Sequence, residues 1–128
     1  MRAAGTFGAY VQTQMFDFAF IASVIFFGIC LGTLIARLGQ ASCATVSMGK
    51  GAAFFAFSGG TLDALENLMS YWLMQFEIAI PQMLAYVNSS FAALKFISFT
   101  IAIALAIAAI VTGLISGGMR MIRPTRMA

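Results

Sequence analysis

The sequence predicts an all-α integral membrane protein, with three transmembrane helices joined by short connectors. Three observations lead there: a very low charge content, three long apolar stretches, and a bias of basic residues to one side of those stretches. Of the 128 residues, 62% are hydrophobic and only 9% are charged, whereas a soluble domain is about 25% charged. Folded in water, such a chain would expose large apolar patches. Its length suits a single membrane domain, residues 1–128.

The first predicted span is 16–38. It carries a charge only near each end, Asp17 and Arg37, and is long enough to cross about 30 Å of hydrocarbon with some tilt. The small, polar, glycine-rich stretch Gly39 to Gly51 reads as a connector. The second span, about 51–76, ends in Tyr71 and Trp72, aromatic residues suited to an interface. Pro81 then breaks or starts a helix, and Asn88, Ser89 and Ser90 offer capping oxygens. The third span, 91–116, is the most uniformly apolar. A basic tail, 117–128, follows, in which Gly117 and Gly118 suit a helix stop and Pro124 prevents resumption.

Orientation follows from the cations. Arg37, Lys50, Arg120, Arg123 and Arg126 fall on one side of the three spans, and Arg2 falls on the other with Asp17 and Glu77. The positive-inside rule then places the N-terminus on the translocated side and the C-terminus on the cytoplasmic, matrix or stromal side. The N-terminal stretch lacks the tight apolar core of a secretory signal. The C-terminal arginines are expected to meet anionic lipid headgroups. A net charge of +3, without a basic stripe interleaved with aromatics, argues for no nucleic-acid partner.

Histidine is absent, which excludes histidine ligation of haem, zinc or copper. Cys30 lies in an apolar run and Cys43 in a polar stretch, so the two make neither a metal site nor a disulfide framework. No nucleophile–base pair or phosphate loop is legible. The chain is therefore read as non-enzymatic. It is expected to hold no metal or cofactor by itself, with room left for a bound lipid or pigment.

In lipid, helices associate where small residues let backbones approach. Gly28 and Gly32, continued by Ala36, form such a line in the first span. Ala52, Ala56, Gly60 and Ala64 form one in the second. The third has Ala102 with Ala106, and Ala109 with Gly113 and Gly117. So many small faces on three spans imply neighbours beyond the chain itself.

The polar cluster is the most informative feature. Asp63, Glu66, Asn67 and Ser70 recur at i, i+3, i+4 and i+7 and so share one helix face. A charge at mid-membrane costs roughly 2.5–3.5 kcal/mol on insertion scales, so it requires compensation. Lys95 is the only cation in the third span. If the hairpin between the second and third spans turns near Ala79, Asp63 and Lys95 fall at equal depth, and a salt bridge from Lys95 to Asp63 or Glu66 is expected. The competing geometry, with a loop or short interfacial helix before Asn88, lets Lys95 snorkel to the surface.

These readings converge on a small non-catalytic accessory subunit, packed with lipids and other membrane subunits in a larger complex such as an energy-transducing one, respiratory or photosynthetic. The alternative is a homo-oligomeric channel or a proton- or ion-translocating component that uses Asp63 and Glu66. A pilin-like structural protein fits the mid-helix charges poorly.

Overall fold

A computed structural model describes residues 6–39, 42–73 and 82–122, with side chains placed for 8–39, 42–73 and 82–116. Among the described residues all of the regular structure is helical: α1 (Thr6–Leu38), α2 (Cys43–Leu73) and α3 (Gln82–Ile122). None of these helices contains a proline, so no backbone donor is lost inside one. α1 and α3 are long and apolar enough to cross a membrane. α2, which carries Lys50, Asp63 and Glu66, is less uniformly apolar.

The first and third predicted spans lie within α1 and α3, and the second lies within α2 as far as Leu73; each helix begins before its span. α1 begins at Thr6 rather than Phe16. α2 begins at Cys43, so most of the expected connector Gly39 to Gly51 is helix. Ser42 caps it: the Ser42 carbonyl accepts from Val46 N at 3.1 Å, and Ser42 Oγ lies 3.5 Å from Thr45 N. The small residues Thr45 and Gly49 are not a loop signal here, because they continue the Ala52–Ala56–Gly60 line backwards along one helix face.

α3 shows the same correction at both ends. Asn88, Ser89 and Ser90 are not caps but lie inside the helix, where the two serine hydroxyls donate to the carbonyls of Ala85 and Tyr86. Gly117 and Gly118 do not stop the helix, which runs to Ile122. The proposed turn at Ala79, the end of the second span at 74–76 and the tail from Arg123 onward lie outside the described residues.

α2 is the centre of the molecule. It packs antiparallel against α1 on one side and α3 on the other, while α1 and α3 scarcely meet. The two contacts of α2 differ in chemistry. Against α1 the contact is made of small residues. A Cβ at Gly28 would collide with the Cβ of Ala56, and one at Gly32 would lie 2.6 Å from the Gly49 carbonyl oxygen and 2.7 Å from Ala53 N. From the other side, a Cβ at Gly49 would lie 2.8 Å from both Ala36 N and the Gly32 carbonyl oxygen. Backbone meets backbone here because neither side chain intervenes. At Gly39 the connection is equally tight, since a side chain there would run into Thr45.

Gly28, Gly32 and Ala36 are thus consumed by α2 inside the chain. They are not free faces for outside neighbours, and the inference from surplus small faces to a larger assembly loses these members.

Against α3 the contact carries polar pairs at regular heights. Ser70 meets Asn88, Asp63 meets Lys95, Gly59 packs on the ring of Phe99, and Thr45 meets Thr112. Each step forward along α2 is matched by a step back along α3 over the whole length of α2.

The interior is correspondingly thin. Its buried apolar residues are Ile21, Ile35, Ala36, Ala52, Ala56, Leu73, Ala102 and Ala109. Large apolar side chains point outward instead, among them Phe16, Phe26, Phe54, Leu114 and Ile115, each at least half exposed.

Candidate functional site

The charged centre is assembled by two turns of α2 and one residue of α3. Asp63 and Glu66, three residues apart, project from the same face of α2. Lys95 reaches them from α3, well inside that helix rather than near its start. Its Nζ donates to Asp63 Oδ1 at 2.8 Å and lies 2.5 Å from Glu66 Oε2. The side chains are 16% (Lys95), 20% (Asp63) and 19% (Glu66) exposed. Lys95 therefore bridges both carboxylates and does not snorkel away from them. Its ammonium also stands 5.3 Å from the Phe96 ring centroid, a favourable but minor cation–π contact.

The reason for this pairing is register. Gly59 lets the Phe99 ring lie against α2, with a Cβ position only 2.9 Å from the ring. That contact brings Lys95 level with Asp63 one turn further on. Ser70 and Asn88 mark the next polar height, at 3.4 Å, which is long for a hydroxyl hydrogen bond.

The remaining residues of the predicted cluster and faces divide clearly. Asn67 makes no hydrogen bond to the charged trio among the described residues. Gly60 is buried against Ile25 of α1 and belongs to the packing contact. Ala64 is half-buried beside the trio, and Ala106 lines a groove between α1 and α3. Gly113 makes only an ordinary contact with Thr45, 3.6 Å from its Cβ position. Arg120 lies in the last turns of α3, but its side chain, and all of Arg123 and Arg126, fall outside the described residues. Arg37 and Lys50 are exposed at the same end of the bundle as the C-terminus of α3.

Sequence reasoning missed the Thr45–Thr112 pair. The hydroxyls are 3.2 Å apart, and Thr45 is 1% exposed. Thr112 Oγ1 also donates to the Ala108 carbonyl at 2.9 Å. A hydroxyl has one proton, so when Thr112 donates to Ala108, Thr45 must be the donor to Thr112. The signal was available in the small-residue line that runs back through Gly49 to Thr45, but it lay in a stretch read as connector.

Chemically, the trio offers charge rather than reactivity. Two carboxylates share one ammonium, so the ionised group carries a net negative charge inside an apolar surround. Asp17 adds no ion pair among the described residues, although the α1–α2 register places it about level with Asn67. No group of three or more potential metal ligands occurs among the described residues. The chain matches no protein-family model, no curated protein and no solved structure.

Proposed function

We propose that this chain is a small integral membrane protein that acts as a non-catalytic accessory subunit, held among lipids and the helices of other membrane subunits. All three helices cross the bilayer in this reading, with the N-terminus on the translocated side. The observation that carries it is the outer surface. Large apolar side chains stand exposed on α1, α2 and α3 alike. The hydroxyls between them are turned inward on their own helices: Ser23 donates to Ala19 O, Thr33 to Ile29 O, Thr61 to Phe57 O and Thr100 to Phe96 O. Such hydroxyls need no water, and the faces that carry them suit lipid or an apolar partner.

The charged trio fits a structural role in the same setting. Each charge at depth costs roughly 2.5–3.5 kcal/mol on insertion scales, and mutual pairing offsets part of that while locking the register of α2 on α3. Helices α1 and α3, at 33 and 41 residues, would be about 50 and 60 Å long. Both exceed the hydrocarbon layer, which leaves helical ends outside it to meet headgroups or partners.

Purification in a mild, non-denaturing detergent tests the proposal. Foreign subunits in fixed stoichiometry support it, and a closed ring of this chain alone sinks it. One observation favours a second reading, proton or ion translocation: the trio has one carboxylate more than it has cations. That reading requires Glu66→Gln to abolish flux in reconstituted vesicles while the protein stays assembled.

A further inference from the structure

We propose that the groove between α1 and α3 binds a lipophilic organic monocation, with Asp63 as its counter-ion. The proposal rests on the membrane reading above for the medium in which the groove stands, and goes beyond it in assigning a ligand. Because α1 and α3 scarcely meet, they leave a furrow along α2. The cavity there is about 560 Å³, within the usual range of small-molecule sites, roughly 300–1,000 Å³. Its floor is made of small residues, including Ala52, Ala56 and Ala102. Its walls carry Phe20 and Phe27 from α1, and Phe96 and Phe99 from α3. Phe20, Phe27 and Phe96 are each about two-thirds exposed, and of the three only Phe96 has a described cation near it, Lys95 Nζ at 5.3 Å.

Asp63 is the one charged residue in the lining. Among the described residues its hydrogen bonds engage Oδ1 alone, and a fifth of the side chain remains exposed. The trio behind it is one positive charge short of neutral. The groove thus combines aromatic faces, which attract cations, with an under-compensated carboxylate in apolar surroundings.

Other occupants fit less well. An anion is repelled. A neutral hydrophobe leaves the charge unmet. A bare metal ion asks for six or more oxygen ligands, and the lining supplies only Asp63 and the Thr100 hydroxyl. Asp63 and Ala52 are eleven residues apart on α2, about 16 Å. The furrow runs about that length and is lined by apolar side chains on both walls. A rod-shaped aromatic cation suits that length and the aromatic walls.

The test uses the full chain in phosphatidylcholine vesicles, with flotation first confirming insertion. Two fluorescent probes are titrated: a dimethylaminostyryl-N-methylpyridinium cation and its neutral, unmethylated pyridine counterpart. Saturable binding at one per chain is expected, with the cation favoured by about tenfold or more, the scale of one charge-assisted contact. Asp63→Asn keeps the Lys95–Glu66 pair, so the fold is retained, and it should erase that preference. Glu66→Gln should reduce it less, because Asp63 stays in the wall. Thr100→Trp, which fills the groove, should weaken both probes, and Ile107→Trp, outside the lining, neither. The proposal is overturned if binding does not saturate, if the two probes bind alike, or if Asp63→Asn leaves the preference intact. Failure to float with the vesicles overturns the membrane reading itself and this inference with it.

Discussion

Lys95 Nζ lies 2.8 Å from Asp63 Oδ1, between helices whose partners are thirty-two residues apart in the chain. Glu66 shares the same ammonium. Among the described residues the lysine alone serves the two carboxylates, so the three residues are unequal in what their loss should do.

Lys95→Met leaves two facing carboxylates without a cation. It should destabilise the protein by about 3–5 kcal/mol, as for breaking other buried pairs. Asp63→Asn leaves one carboxylate with one lysine and should cost far less. Adding Asp63→Asn and Glu66→Gln to Lys95→Met should recover much of the loss. Thermal unfolding in detergent across this set measures the coupling, and strictly additive losses would mean that the lysine does not serve the carboxylates.

Close approach of α1 to α2 makes a second prediction. Gly32→Ala forces a Cβ against backbone atoms of Gly49 and Ala53, which cannot yield as a side-chain tip can. A loss of about 1–3 kcal/mol is expected, the scale of overpacking. Gly113→Ala meets only ordinary contact and should stay within about 0.5 kcal/mol. Gly28→Leu and Gly60→Leu should impair folding and recovery far more than Val24→Leu, whose side chain faces the open groove. Equal melting temperatures for Gly32→Ala and Gly113→Ala would count against the helix contact.

The threonine pair is asymmetric. Thr45→Val leaves Thr112 its bond to Ala108 and should cost under about 1 kcal/mol. Thr112→Val strands the buried Thr45 hydroxyl and should cost about 1–3 kcal/mol. The order of the two unfolding midpoints decides this, and the reverse order would refute the assigned proton direction.

The two native cysteines report topology. Both side chains are exposed on the bundle, but Cys30 sits about 10 Å further into the apolar stretch than Arg37. In intact vesicles a water-soluble maleimide should label Cys43 from the side that holds the C-terminus and should leave Cys30 unlabelled. Equal labelling of both would place α1 in water and remove the basis of the membrane reading. Tags on the two termini should report opposite faces, and finding both on one face would exclude three spans.

Much of the architecture was legible because it depends on local chemistry. Long apolar runs without proline can hardly be other than helices, and the three helices follow from that. The height match of Asp63 and Lys95 was legible too, since two antiparallel helices joined by a short link have one degree of freedom, the position of the turn. The helix ends were not. Glycine, serine and asparagine at 39–51, 88–90 and 117–118 carry turn propensity, but tertiary contact overrides a weak local preference. Thr45 and Gly49 are helical because α1 and α3 pack on them, and Asn88 is helical where Ser70 meets it.

What the sequence by itself determined is therefore the class of fold, the number of helices and the need to compensate two carboxylates with one lysine. Only the tertiary structure decided which neighbour each face of α2 received. Spacing shows that Gly28 and Gly32 lie on one face, but not that α2 rather than an outside helix fills it. That choice depends on the contact of α1 and α3 with the same central helix, and on the furrow left because two helices flanking a third do not also close on each other. Such a cavity belongs to the arrangement of the three helices and to no single stretch of the chain.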